Sequence, residues 1–386
     1  PLTKIADVII PGQRGFQTSG NTSCDPMPEM PLADHLNSAK REAAVQASLA
    51  ACRQKLEAAG VNLQGLNVEE MAADVNDIAS SLGYRSIQLI GQSFGTHWGL
   101  SIIRQYPDLV ARATLSALEG PDHTYDMPAG VAGALKRIAA TAEASPVLAP
   151  LIPEEGLIAA YQALIDEADK NPVMVTYENE DTGEQLPVTL DGDAFRELAR
   201  GYSRGTNWRY LMPIWPLDIL NMLDGNLEGA ARRYVRVKSF PYLQDAAYYQ
   251  VDCASGISNA RQQQLGTDTG MALVGNLHAH LESVCKAWDA DLGPDFRQPF
   301  ESDVPALLVH GDWDTSTPIE NAETVRTFFT NHRFVQVEGG SHGAYREATE
   351  DVEGFEALIH HWMATGDYTA IPEKVSLPPL NWRTPD

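Results

Sequence analysis

Ser93 stands in a sequence pattern that is typical of catalytic nucleophiles. It occupies the centre of residues 91–95, which read G-x-S-x-G. The preceding residues 86–90 are an apolar run typical of a short strand, and residues 96–103 are apolar at helical spacing. A serine between a strand and a helix needs a turn so sharp that its neighbours must be small. The helix N-terminus also favours developing negative charge, so we predict that Ser93 is a nucleophile.

The partners of such a serine follow it along the chain, the acid first and the histidine second. Residues 304–311 form a buried-strand pattern that leads to Asp314, and residues 333–338 form another that leads to His342. Each of these residues thus follows the carboxyl end of a strand, where open α/β sheets place their sites. This order of serine, acid and histidine predicts a serine hydrolase.

Each predicted residue has a chemical role. His342 takes the proton of Ser93 as it attacks and later returns it to the leaving group. Asp314 holds the imidazole tautomer and stabilises the imidazolium. The backbone N–H of Phe94 supplies one donor to the oxyanion, and a loop after an earlier strand normally supplies the second.

Other residues near these positions have a simpler interpretation. Asp312 competes with Asp314 for the acid role, although a loop aspartate of this kind more often caps a turn. His97 and His310 are interpreted as packing or hydrogen-bonding histidines. No metal or organic cofactor is implied by any of these residues.

The bulk composition bounds the function. The 386 residues exceed one compact domain but fit a hydrolase core that carries a cap. A net charge of −24 and an isoelectric point near 4.7 disfavour binding to nucleic acid or anionic membranes and attract a cationic substrate group. No run approaches the roughly 18–20 apolar residues of a membrane helix.

The four cysteines fall as two local pairs, Cys24 with Cys52 and Cys253 with Cys285, and none has metal-ligand spacing. We predict two disulfides, each stabilising the fold by roughly 3–4 kcal/mol, and hence a secreted or periplasmic protein. The alternative is four buried thiols in a cytosolic enzyme.

The first part of the chain alternates strand and helix patterns, which favours a parallel sheet. Strands are predicted at 5–10 and 112–118, and helices at 37–59 and 68–82, the second capped by Asn67.

Helical patterns then dominate, interrupted by one hairpin at 173–177 and 185–190 with a turn that contains Asp181. This insertion emerges at the sheet edge over Ser93, so we predict a cap. The predicted divisions are core 1–126, cap 127–300 and core 301–386. Cap aromatics could line a pocket or form the cap core: Trp208, Tyr210, Trp215, Tyr242, Tyr248 and Tyr249.

The chain resembles the proline iminopeptidase and tripeptidyl aminopeptidase-like branch of the α/β-hydrolases. Residues 91–96 are similar to the G-G-S-Y-G-T elbow of that family, and residues 341–343 match its histidine turn. Residues 311–318 are similar to its G-x-x-D-x-x-T-P segment, which puts the family aspartate on Asp314. The paired cysteines also fall where exported members have them.

The resemblance implies a mostly parallel α/β-hydrolase sheet with helices on both faces and an inserted, mainly helical cap. It implies an exported aminopeptidase that releases residues from peptide N-termini through an acyl-enzyme. The alternatives are a carboxylesterase with the same triad and a non-catalytic binding protein. Candidate acids for holding a substrate ammonium are Glu119, Glu154, Glu155, Glu178, Glu180 and Asp181.

The chain departs from the family at its start. Residues 13–15 match the middle of the family's D-Q-R-G-x-G-x-S turn, but Gly12 and Gln17 replace its aspartate and second glycine. Nothing in residues 1–11 resembles the H-G-G-P-G-type loop that supplies the second oxyanion donor.

The strand before that loop should lie between residues 5–10 and 86–90. Unpaired backbone groups in its place would cost roughly 1–3 kcal/mol apiece. The N-terminal strands and the oxyanion loop are therefore expected from an N-terminal fragment or a second chain that completes the sheet.

Overall fold

The structure is a computed structural model that describes residues 2–16, 19–20, 22–179, 182–201, 205–239 and 245–384. Four residues that the sequence analysis names lie outside these ranges: Gln17, Glu180, Asp181 and Tyr242.

Seven strands and sixteen α-helices are present in the described ranges. The strands are β1 Ile87–Gln92, β2 Val110–Ser116, β3 Val173–Glu178, β4 Gln185–Leu190, β5 Ala306–Gly311, β6 His332–Glu338 and β7 Lys374–Ser376. The helices of the first part are α1 Leu32–Leu36, α2 Ser38–Ala58, α3 Val68–Ser81 and α4 Phe94–Gln105. The helices between β2 and β5 are α5 Pro128–Glu143, α6 Leu157–Lys170, α7 Gly192–Leu198, α8 Trp215–Leu223, α9 Glu228–Ser239, α10 Ala246–Ser255, α11 Asn259–Leu265, α12 Met271–Val274 and α13 Ala279–Trp288. The last helices are α14 Ile319–Val325, α15 Ala344–Asp351 and α16 Phe355–Thr365.

Five strands form one sheet in the order β1-β2-β5-β6-β7, and every pair in it is parallel. All six residues of β5 are buried, as expected for the centre of a parallel sheet whose two faces are covered by helices. The sheet class predicted from the alternation of strands and helices is confirmed.

The two long helices of the first part begin where their caps are. Asn67 Oδ1 accepts the N–H of Glu70 at 2.9 Å, and Asn37 Oδ1 accepts the N–H of Lys40 at 3.0 Å. These bonds satisfy N–H groups that have no partner inside a helix, which is why asparagine favours the position. Both predicted helices are confirmed to within one residue at each end.

The strand predicted at residues 5–10 is wrong. Leu2–Lys4 form a 3₁₀ helix, and residues 7–10 have no regular structure. A strand exists only through ladder bonds to a neighbour, and β1 makes its ladder in the described chain with β2 alone. Apolar side chains on both segments are exposed as a result, since no neighbouring strand in the described chain covers them: Ile10 is 90% exposed, and Ile90 on β1 is 54% exposed.

The segment between β2 and β5 is mainly helical and contains the antiparallel hairpin of β3 and β4, as predicted. Trp215 and Tyr249 are buried in hydrophobic clusters, whereas Trp208, Tyr210 and Tyr248 are exposed. The residue boundaries proposed for the cap stay a prediction.

Both predicted disulfides are formed. Cys24 is bonded to Cys52 on α2, and Cys253 on α10 is bonded to Cys285 on α13. Three of these cysteines are buried in one hydrophobic cluster, and Cys285 packs against it. Within the described ranges, no helix is long and apolar enough to cross a membrane.

Candidate active site

Ser93 forms the sharp turn between β1 and α4. Its backbone has φ 55° and ψ −128°, a left-handed conformation that costs a non-glycine residue on the order of 1–3 kcal/mol. A Cβ at Gly91 would lie 2.5 Å from the carbonyl oxygen of Gly95, so only glycine fits at position 91. A Cβ at Gly95 would meet no atom within 4 Å, so the steric requirement falls on the first glycine.

The turn is held against the neighbouring strand. The N–H of Ser93 donates to the carbonyl of Ser116 on β2 at 3.1 Å. The buried Thr96 donates its hydroxyl to the carbonyl of Ser93 at 2.7 Å and accepts the N–H of Glu119 at 2.8 Å. The strained conformation is thus fixed by a bond to β2 and, through Thr96 on α4, by a bond to the segment after β2.

Asp314 and His342 are brought together as predicted. His342 Nδ1 lies 2.9 Å from Asp314 Oδ2 and 3.1 Å from Oδ1. Asp314 is fully buried and also accepts the N–H groups of Ser316 and Thr317 and the hydroxyl of Thr317. Three donors besides the imidazole therefore orient this carboxylate.

Electrostatics favour the charged forms of both residues. Burial alone would raise the pKa of Asp314, but His342 and the surrounding donors lower it below the usual value. Burial would lower the pKa of His342, but the charges of Asp314, Asp126 and Glu347 raise it. The imidazole is therefore prepared to hold a proton, as a general base must.

The competing residues have structural roles. Asp312 accepts the N–H of Gly339 at 2.8 Å, which ties the turn after β5 to the end of β6. His310 Nδ1 accepts the N–H of Leu118 at 3.0 Å, so Nε2 carries the proton and donates to the carbonyl of Thr317. These bonds agree with the predicted turn-capping and packing roles.

His97 likewise makes the bonds of a packing residue. Its Nδ1 donates to the carbonyl of Gly120 at 3.0 Å, and its Nε2 accepts from the hydroxyl of Ser255. Burial lowers the pKa of His97 to about 4.

The backbone of His342 connects three parts of the molecule. Its carbonyl accepts from the side chain of Gln92, directly before Ser93, at 2.8 Å. Its N–H donates to the carbonyl of Asn207, in the segment between β2 and β5, at 3.2 Å. Among the bonds of the described residues, none joins Ser93 Oγ to His342, a contact that often tightens only in a substrate complex.

Asn207 and its neighbour Trp208 were missed by the sequence reasoning. The side chain of Asn207 accepts the hydroxyl of Thr315 at 2.7 Å, one residue after Asp314. The ring of Trp208 packs edge-on against His342 with 5.8 Å between the ring centres. Trp208 was noted only as one of several aromatics, and no sequence signal marks Asn207.

Phe94 opens α4, so its N–H belongs to the first turn, where helix donors have no intrahelical partner. This is the position expected of one oxyanion donor. Among the described residues, no group of three or more His, Cys, Asp or Glu side chains could hold a metal ion.

Three carboxyl groups have raised pKa values: Glu119 and Asp126 lie on the segment after β2, and Asp252 lies on α10. Burial, helped by the charges of Asp126 and Asp252, raises the pKa of Glu119 well above its usual value. Burial also raises the pKa values of Asp126 and Asp252 to about 7. Glu119 was among the acids predicted from the sequence, whereas Asp126 and Asp252 were not.

Comparison with protein families gives two matches. Residues 1–148 match the family described as alpha/beta hydrolase fold, and residues 271–371 match the family described as TAP-like protein. No curated protein matches the sequence. The parallel sheet and these matches define the class of protein as an α/β-hydrolase.

Solved structures of α/β-hydrolases are similar at low identity. An epoxide hydrolase from an endophytic Streptomyces is 13% identical with a TM-score of 0.35, over 82% of this chain and 79% of that one. An epoxide hydrolase from Bacillus megaterium is 12% identical with a TM-score of 0.30, over 80% and 78% of the two chains. Their activities carry no argument for this chain. Within that class, the match of residues 271–371 to the TAP-like family supports the tripeptidyl aminopeptidase-like type.

Proposed function

We propose that this hydrolase acts through an acyl-enzyme formed on Ser93. Ser93 Oγ attacks the substrate carbonyl while His342 takes its proton, and the charge on the carbonyl oxygen is stabilised by the N–H of Phe94. His342 then protonates the leaving group, and water repeats the sequence to release the acid. The observation that carries this proposal is the contact between His342 Nδ1 and the buried Asp314 beside a serine held in a left-handed turn.

The preferred substrate is the N-terminal part of a peptide with a free amine. Glu119 follows β2, and its N–H is tied through Thr96 to the Ser93 turn. Asp126 lies near the proposed acid and base. Its charge raises the pKa of His342, and the charge of Asp314 raises the pKa of Asp126. Burial raises the pKa of Glu119, Asp126 and Asp252, and the charges of Asp126 and Asp252 raise that of Glu119 further, so an ammonium placed among these three carboxyl groups would stabilise their charged forms.

The proposed site of action is outside the cytosol. Two disulfides that close between separate elements persist in an oxidising compartment such as the periplasm or the medium. A thiol titration of the protein isolated from its own cells tests this: four free thiols would contradict export.

The reaction is tested by labelling with a fluorophosphonate, with Ser93→Ala as the control. We expect covalent labelling of Ser93 alone and loss of the label in the variant. An intact, folded protein that is not labelled would favour a non-catalytic binding protein.

The substrate class is tested by comparing aminoacyl-arylamides, their N-acetylated forms and short acyl esters. We expect turnover of the free-amine arylamides and a loss upon acetylation. Turnover confined to the esters would support the alternative, a carboxylesterase with the same triad.

We also propose that a further polypeptide strand pairs with β1. The strand that leads to Ser93 leaves one edge without ladder bonds in the described chain, and Ile90 and residues 8–10 are exposed. Tyr84, just before β1, donates its hydroxyl to Asp7 at 2.6 Å and so keeps the two segments close together. A strand between them would bury both and bring a loop to the oxyanion.

This second proposal is tested on the native protein by intact-mass measurement. We expect a further polypeptide, or a chain longer than residues 1–386, in the active species. Full activity in a species that contains these residues alone would overturn it.

A further inference from the structure

Glu347 is a buried carboxylate on α15, and the Ser93 chemistry described above does not use it. Only 8% of the surface of Glu347 is exposed to solvent. One oxygen, Oε2, accepts the N–H of Ser341 at 2.8 Å, and the other, Oε1, accepts the hydroxyl of the same serine. A single fully buried residue, the one directly before His342, thus donates to both oxygens of Glu347.

The same network reaches the other side of His342. The hydroxyl oxygen of Ser341 accepts the N–H of Gly343 at 3.2 Å, and the N–H of Glu347 donates to the carbonyl of Gly343 at 2.9 Å. A Cβ at Gly343 would lie 3.2 Å from Glu347 Oε1, so the carboxylate lies close to this backbone. The residues on both sides of His342 are therefore tied to Glu347: Ser341 by the carboxylate itself, and Gly343 through the Ser341 hydroxyl and the backbone of α15.

The carboxylate also acts on His342 through its charge. The charges of Asp314, Asp126 and Glu347 favour the protonated imidazole, while burial opposes it. Other ionisable groups also act in this region: burial lowers the pKa of His310, and burial lowers the pKa of Arg209 although the charges of Glu347 and Asp351 oppose this. A second carboxylate near His342, besides Asp314, lowers the cost of forming the imidazolium in a buried site.

We propose that Glu347 is a positioning residue for the general base, which sets the backbone of the His342 turn and stabilises the imidazolium by its charge. This inference rests on the proposed function of His342. It assigns to α15 a part in the reaction, although no atom of Glu347 touches the reacting groups.

The main variant is Glu347→Gln, which keeps the size of the side chain but removes the charge and one acceptor. Since a small displacement of a catalytic group costs up to about 100-fold, we expect kcat to fall about 10- to 100-fold with little change in KM. Since a negative charge is lost near the imidazole, we expect the acid limb of the kcat/KM profile to move to lower pH by about half to one pH unit.

The matched control is Glu350→Gln, one turn further along α15, where the side chain is 61% exposed. This control removes the same charge from the same helix and should leave both rate and pH profile unchanged. A folded Glu347→Gln variant with the rate and profile of Glu350→Gln would overturn the proposal.

Two further variants distinguish the positioning role from the charge effect. They also test the proposal if Glu347→Gln does not fold. Glu347→Asp keeps the charge but shortens the reach, so kcat should fall while the acid limb stays in place. Ser341→Ala removes one donor to the carboxylate, and we expect a loss in kcat about tenfold or less. Unchanged kcat in both variants would overturn the positioning role.

A measurement that needs no turnover separates this inference from the proposed function. The imidazole of His342 is titrated by NMR in the original protein and in Glu347→Gln. We expect a lower pKa in the variant even if the protein is not a hydrolase, whereas an equal pKa would contradict the charge effect.

Discussion

The two halves of the site lie in different parts of the sheet. Asp314 and His342 follow β5 and β6, and every residue of β5 is buried, whereas Ser93 follows β1 at the edge of the sheet, where Ile90 is 54% exposed. The proposed acid and base are therefore held by burial and by donors on several sides. The proposed nucleophile is held by local backbone geometry and by one neighbouring strand. A single site can thus depend on tertiary packing for Asp314 and His342 and on a strained backbone turn for Ser93.

The largest effect should come from the enclosed half. Asp314→Asn leaves the geometry but offers His342 Nδ1 an amide that favours the wrong tautomer, so we expect kcat to fall about 10⁴-fold. Asp312→Asn is the control, since Asp312 bonds the backbone of Gly339 instead of the imidazole. Steady-state rates of both variants measure the difference. Similar losses in the two would mean that the acid role is not specific to Asp314.

The turn in the open half is tested by two alanines. Gly91→Ala should destabilise the protein by about 2–3 kcal/mol, because its Cβ would collide with the carbonyl of Gly95. Gly95→Ala should be neutral or stabilising by up to about 1 kcal/mol, since its Cβ has open space in a helix. Urea unfolding compares the two free energies of unfolding. Equal costs would show that the turn is not the source of the strain.

Burial on the two strands is compared by truncating one apolar residue on each. Leu308→Ala, at the centre of β5, should cost about 2–5 kcal/mol in the free energy of unfolding. Ile90→Ala on β1 should cost less than about 1 kcal/mol in a species that contains residues 1–386 alone. A cost at Ile90 close to that at Leu308 would mean that β1 is covered in the protein measured, as the proposed additional strand requires.

A last prediction concerns the pH dependence of stability. Burial raises the pKa of Asp252 to about 7, above its unfolded value near 3.8. A raised folded pKa contributes stability that is complete below the unfolded pKa and is lost as pH rises to the folded value. Asp252→Asn should therefore flatten the fall in unfolding free energy between about pH 4 and 7. An unchanged slope in thermal unfolding across that range would rule out Asp252 as its source.

Local patterns predicted much of this molecule because their physical causes are local. The cap at Asn67, the strand that leads to Ser93 and the helix after it all follow from residues next to one another in sequence. The predicted strand at 5–10 failed for the opposite reason. Its residues have the composition of a strand, but a strand also needs a neighbour, which no local pattern can supply.

The residues that support the base were also beyond local patterns. Asn207 lies more than a hundred residues from both Thr315 and His342, and nothing in its surroundings in sequence marks it. Glu347 is near His342 in sequence, but one acid among 52 acidic residues has no feature that predicts burial. Only its hydrogen bonds with Ser341 in the folded chain distinguish Glu347 from the other acidic residues.

The sequence by itself determined the order of serine, acid and histidine, the parallel sheet and the pairing of the cysteines. Those features depend on residue type, periodicity and spacing, which the chain states directly. The tertiary structure alone decided that β1 pairs with β2 alone in the described chain and that Asp126 and Asp252 affect Glu119. It also decided that Glu347 bonds the residue before His342. These features depend on desolvation and on contacts between distant segments, and both arise only when the chain has folded.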